Sequence, residues 1–328
     1  LGHYAFSENP QSVNPPWGFV YSANNQPDSV DGVLYPGYYL PMDRGRRILD
    51  LLKDESGWTL QQSKTMTGDI TSPVHPVVAR ELSAILNNQQ ELPKKELLQL
   101  LNTWDGEHRK DQITPSVYYT FLSWVMYYAM GDELDYADWQ TISESTMMKR
   151  SYHQFIANDS SVWWDDVQTS TIESRKEIVE KAYVKAIQAL ERNMGTDNIK
   201  EWQWGKIHTL THKHPLGSVK LFAPIFDVGP FAVDGGNEVI NNFMFSLDTT
   251  GVFDVTAGPS MRTVIDLADI EGAMGILPTG QSGNFMSPHY QDQALMYARN
   301  EFRPQLMNEA TIENTKSSVL LFKPAKKE

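Results

Sequence analysis

Three observations predict an α+β fold in which a helical excursion interrupts a sheet. An apolar, aromatic run near the start, Trp17 to Ala23, has strand character. Helical periodicity then persists over about 150 residues. Beyond residue 200, short apolar runs alternate with Gly and Pro. The order strand, helical block, sheet places the helices as an insertion between parts of one sheet.

Taken in order, residues 1–42 read as an extended segment followed by a strand of the core sheet. Their first 16 residues are polar and proline-rich. Residues 43–200 form the helical region. In "DRGRRILDLLK", Ile48, Leu49, Leu51 and Leu52 share one broad face. Thr114 is expected to cap the helix "SVYYTFLSWVMYYAM", with Pro115 at its first position. That aromatic helix reads as core in preference to a partner surface. In "STIESRKEIVEKAYVKAIQALERNMG", Ile172, Ile178, Val179, Ala182, Tyr183, Ala186, Ile187 and Leu190 recur at helical spacing, and Gly195 is expected just past the helix end. Residues 201–328 form a β-rich core portion. Strands are expected in "PFAVDGG", "NNFMFSL", "GVFDVTAG", "MRTVIDLAD" and "AMGILPTG". A helix from roughly Tyr290 to Asn300 and a final strand "SSVLLFK" complete the pattern. There is no internal repeat and no low-complexity stretch.

The bulk numbers bound the function. The chain has 328 residues, which suits two domains or one large body with an insertion. Hydrophobic residues make up 41% and aromatic ones 11%, enough for a substantial core. With 28 Lys and Arg against 41 Asp and Glu, the net charge is −13. That balance argues against nucleic acid or an anionic membrane as partner. No apolar run is long enough to span a bilayer. The absence of cysteine excludes disulfides, thiolate metal sites and a cysteine nucleophile. The chain begins at Leu1, and its opening "LGHYAFSENPQSVNPPWG" reads as the middle of something longer.

Several stretches invite chemical readings. "HTLTHKHPLG" holds His208, His212 and His214, with the first two spaced to share a helix face as zinc ligands do. No Glu lies between them, and Pro215 disfavours a helix at His214, so bracing of a connection is preferred. "GQSG" around Ser282 lacks the full nucleophile-elbow pattern and reads as a glycine-rich turn. Asp165 and Asp166 read as solvated surface. "VYSANNQP" is more pointed. Two amides, Asn24 and Asn25, stand where an apolar run stops, although Asn is a poor strand residue. An amide N–H₂ at such an end is suited to donate to a developing oxyanion, and turn formation is the plainer alternative. Downstream, "MDRGRR" places three arginines at a helix start, where cations oppose the dipole. Arg46 and Arg47 fit a surface, and Arg44 is placed to fold back towards the amides.

Together the stretches resemble the penicillin acylase (penicillin amidase) family of N-terminal-nucleophile hydrolases. The resemblance rests on "NPPWGFVYSANNQP", "YYLPMDRGRRILDLL", "LLNTWDG", "WGKIHTLTHKHPLG", "VDGGNEVINN", "AGPSMRTVIDLAD" and "LPTGQSGNFMSPHYQDQ", in the family's order from about residue 10 to 300. It implies an αββα sandwich of two stacked sheets between helical layers, with a large helical insertion. It implies an amidohydrolase that cleaves a linear amide through an acyl-enzyme on an N-terminal serine. The substrates in view are penicillin-like, acyl-homoserine-lactone or related amides.

By the same resemblance Asn24 matches the family's oxyanion asparagine and Arg44 its supporting arginine. Asn25 is left to shape the turn. No cofactor is implied for catalysis. Structural calcium is implied for the full-length protein, with ligands mostly outside this chain, and Asp28 and Asp31 are not assigned to it. The nucleophilic serine is also expected outside this chain, which resembles the later part of the catalytic β subunit. On that reading the chain alone is inactive. Its partners are the small α subunit and the serine-headed β segment of one precursor, together with a small-molecule amide. A periplasmic or secreted location is expected from the family. The competing reading is a non-catalytic binding or scaffolding relative that keeps the fold.

Overall fold

The computed structural model describes residues 5–324. Helices dominate from α1 to α8: α1 (Asp43–Leu52), α2 (Leu60–Thr67), α3 (His75–Leu86), α4 (Glu96–Thr103), α5 (Thr114–Met130), α6 (Tyr136–Glu144), α7 (Thr146–Ala157) and α8 (Arg175–Met194). Strands follow: β1 (Thr209–His212), β2 (Val228–Ala232), β3 (Arg262–Asp266), β4 (Asp269–Ile276) and β5 (Arg303–Pro304). Between and after them lie the short helices α9 (Ala223–Phe226), α10 (Ala294–Ala298) and α11 (Glu309–Thr315). The fold is therefore mixed α and β, as the sequence predicts.

Helix α5 is central. Tyr118, Phe121, Leu122, Val125 and Met126 have no exposed surface, because α4 and α8 pack against it. A helix apolar on all sides is stable only when covered in this way. Helix α8 buries the predicted stripe from Ile178 to Leu190 against it, but Ile172, expected in the same stripe, precedes the helix and is exposed because the helix starts only after the Ser174 cap. Its start is set by Ser174, whose hydroxyl accepts from the Glu177 N–H while Glu177 accepts from the Ser174 N–H. Its end is set by Gly195 at φ 66°, in the left-handed region expected there. Helix α5 begins one residue earlier than expected. Thr114 is already helical, and Ile113 is the cap residue with no side-chain bond, so Pro115 alone signals the start.

Among the described residues two small antiparallel sheets are formed. β1 pairs with β2, and β4 lies between β3 and β5. Leu210, Val233, Phe243, Val264, Ile276 and Tyr297 make a second core beneath them. Buried Arg262 ties this core together. It donates to Asn241 Oδ1 at 2.7 Å and to the Tyr297 carbonyl at 2.9 Å, and lies over the Tyr297 ring at 4.3 Å. Among the described residues no helix is long and apolar enough to cross a membrane.

Several expected strands are corrected. Trp17 to Ala23 and "SSVLLFK" have no ladder partner among the described residues. Trp17 and Val20 stand largely exposed. β-propensity describes side chains suited to a pleated surface, but a strand exists only where a neighbour completes its hydrogen bonds. "NNFMFSL" and "GVFDVTAG" meet only at an isolated bridge, Met244 with Ala257. The last predicted helix contracts to Ala294–Ala298. His212 lies in strand β1, not on a helix face.

Candidate active site

The two amides occupy a turn. Asn24 adopts φ 58°, a left-handed conformation that Asn tolerates better than most residues. Asn25 Oδ1 accepts the Ala23 N–H at 3.1 Å and closes the turn. The Asn24 carbonyl accepts the Leu40 N–H at 2.8 Å, which fixes the turn against the approach to α1. Gly45 lies beneath it, where an added Cβ would stand 3.2 Å from Asn25 Oδ1.

Arg44, near the start of α1, reaches back to this turn. One Nη2 donates to the Ala23 carbonyl at 2.8 Å and to Asn24 Oδ1 at 3.0 Å. A guanidinium has donors and no acceptor, so it can meet only the oxygen of the Asn24 amide. The Asn24 N–H₂ therefore faces away. It is on the exposed side and finds no acceptor among the described residues. An amide held by its oxygen with its N–H₂ free is what an oxyanion donor requires. A groove of about 450 Å³, lined in part by Trp17, Phe19, Tyr21, Asn25 and Met42, adjoins the turn.

Behind Arg44 lies a buried set of charges that sequence reasoning missed. Asp43, Glu238 and Lys149 surround it. Arg44 Nε faces Glu238 Oε2 at 3.8 Å. Glu238 is 1% exposed, and neither carboxylate oxygen has a hydrogen-bond partner. Burial raises its pKa, against the pull of Lys149 and Arg44. Burial, helped by Glu238, pushes the Asp43 carboxyl up to about 7, while its own N–H, Arg46 and Arg44 oppose the rise. Burial lowers the Lys149 ammonium, with Glu238 opposing and Arg44 assisting.

The carbonyl of Asn237, next to Glu238, meets His75 Nε2 at 3.2 Å. His75 Nδ1 meets the Tyr118 and Tyr152 hydroxyls at 3.1 and 3.0 Å. Burial, aided by His108, brings His75 down to about 3, so the ring is neutral. The Asn237 side chain bonds both the N–H and the carbonyl of Phe245. The stretch "VDGGNEVINN" holds two carboxylates, Asp234 and Glu238, and nothing in it singles out the second. Lys149 offered no signal either.

The other candidates resolve differently. His208 is buried with Nδ1 2.7 Å from the Phe253 carbonyl. His214 Nδ1 accepts the Leu216 N–H. Among the described residues no group of three or more His, Cys, Asp or Glu is arranged to hold a metal ion. Ser282 Oγ accepts the Asn284 N–H within a turn. That turn borders an open cavity of about 540 Å³, larger than the groove beside Asn24 but lined by none of the residues of the Arg44 cluster. Asp165 and Asp166 accept loop N–H groups, and Asp166 pairs with Lys181 at 3.1 Å. Arg47 is not simple surface: it forks onto Asp69 at 3.0 and 2.6 Å.

Comparison with known proteins converges on one family. Residues 1–314 match the family model described as penicillin amidase. The chain is 25% identical over 323 residues to the acyl-homoserine lactone acylase QuiP of Pseudomonas aeruginosa, covering 86% of this chain and 37% of that protein. It is 24% identical over 307 residues to the penicillin acylase 2 proenzyme of Pseudomonas sp. (strain SE83), covering 87% and 36% respectively. The chain thus spans a little over a third of the length of these relatives. The fold is similar to the solved thermostable penicillin G acylase of Alcaligenes faecalis, at TM-score 0.54 and 18% identity, over 100% of this chain and 61% of that one.

Proposed function

Because this chain belongs to the penicillin amidase family, we propose that it carries the oxyanion-binding half of an amidohydrolase active site. The nucleophile in this reading is a serine at the N-terminus of another segment of the same precursor. Its own α-amine, with a pKa near 8, takes the hydroxyl proton as the oxygen attacks a linear amide carbonyl. The carbonyl oxygen becomes an anion, and Asn24 Nδ2–H donates to it. Collapse expels the amine, which takes the proton back. Water then releases the acyl group from the ester.

One observation carries this reading: Arg44 holds the Asn24 amide by its oxygen and leaves the N–H₂ free. The arrangement brings no ionisable group to the oxyanion. It is also fixed before substrate arrives, which is where electrostatic catalysis gains most. The relatives named as acylases of homoserine lactones and of penicillin suggest one substrate class, an acyl chain joined by a linear amide to a ring-bearing amine.

The test is turnover of an acyl-amide panel by the full-length protein. Asn24→Ala is expected to lose about 100-fold or more in kcat. Undiminished turnover in that variant refutes the oxyanion role, whereas no turnover of any amide by the parent protein favours a relative in which the fold serves binding alone.

A further inference from the structure

We infer that Glu238 is the positioning residue that orients Arg44, and through it the Asn24 amide. This rests on the reading of Asn24 as oxyanion donor. The guanidinium has two working edges. Its Nη2 serves the Ala23 carbonyl and Asn24 Oδ1. Its Nε, which makes no hydrogen bond, faces Glu238 Oε2 at 3.8 Å. Both hydrogen bonds leave from one edge of the group, through Nη2. A charge facing the opposite edge holds the Nε side as well.

Glu238 is well suited to do so. It is almost completely buried, and its oxygens bond to nothing else. Its backbone is held at φ 56°, a conformation uncommon for a non-glycine residue. The neighbouring Asn237 is pinned on both sides, through its side chain to Phe245 and through its carbonyl to His75. The carboxylate therefore stands on a fixed support and is aimed at Arg44. A buried carboxylate with no hydrogen bonds is costly, and the two cations beside it, Lys149 and Arg44, offset that cost. The other charged groups around it are Lys149, also attractive, and Asp43, which is repulsive.

Glu238→Gln keeps the shape and removes the charge. In the full-length protein it is expected to lower kcat about tenfold or more with KM changed less than about twofold, as a displaced catalytic group does. Its crystal structure is expected to show Arg44 displaced from Asn24 Oδ1. The double variant with Arg44→Ala is expected to be no slower than Arg44→Ala alone. Glu238→Asp, which retains the charge, is expected to recover part of the rate and stands in if the Gln variant does not fold. Retention of the Arg44–Asn24 contact in Glu238→Gln overturns the inference, as do fully multiplicative losses. Asn24→Ala tests the underlying function separately. If it is fully active while Glu238→Gln displaces Arg44, the positioning stands and the oxyanion role falls.

Discussion

Arg44 has only donors to offer, and that single property decides which way the Asn24 amide points. Asn24→Asp isolates the consequence. Aspartate tolerates the same φ and still accepts from Arg44, but it puts an oxygen where the N–H₂ stood. Turnover is expected to fall about 100-fold or more, with the thermal midpoint little changed at this exposed site. Asp43 gives a second residue-scale prediction. Its carboxyl is raised from the ordinary 3.8 to about 7, chiefly by burial and then by Glu238. Between those values the folded chain binds more protons than the unfolded one. Its stabilising contribution is therefore complete below about pH 4 and is lost as pH rises through about 7. Asp43→Asn cannot ionise. Urea unfolding at pH 4, 5.5, 7 and 8 is expected to show the variant gaining on the parent as pH rises, by on the order of 2–4 kcal/mol at the top. Asn24 and Arg44 were legible because they sit in contiguous motifs. Glu238 and Lys149 were not, because the contacts that matter to them come from distant segments.

At the scale of elements, helices were more legible than strands. A helix closes its hydrogen bonds within itself, so periodicity and caps suffice to mark α5 and α8. The Ser174–Glu177 capping box is a case in point. Ser174→Ala is expected to cost about 1 kcal/mol, read as a shift in the urea midpoint without a change in slope. The extended segments depend on partners instead. Trp17 to Ala23 has strand composition but no neighbour to pair with among the described residues. Where pairing does occur it leans on close backbone approach. Gly106, at φ 88°, bonds the Ser72 N–H beside the Thr71–Glu107 bridge. An added Cβ there would stand 2.2 Å from the Ser72 carbonyl oxygen. Gly106→Ala is expected to destabilise by about 2 kcal/mol or more, measured by the same unfolding assay.

At the scale of the whole molecule, the chain covers a little over a third of its relatives. The proposed mechanism needs a second segment. N-terminal sequencing of every polypeptide in the native preparation is expected to reveal one beginning with Ser; none starting with Ser, Thr or Cys would sink the mechanism. A zinc-selective chelator is expected to leave turnover unchanged. His208 and His214 already use a ring nitrogen within the fold, and the three histidines form no metal cluster. Loss of activity together with bound zinc would revive the metal reading.

Family, mixed fold class and the Asn24–Arg44 pair were within reach of the sequence, because each is written in local order: motifs in series, helical period, a donor beside a turn. Tertiary structure alone decided which way the amide faces and what stands behind the arginine. Asp43, Lys149 and Glu238 converge from α1, α7 and the loop after β2, and no local pattern encodes such a meeting. Burial then makes it consequential. Charges that water would have screened at the surface act on one another strongly when it is removed.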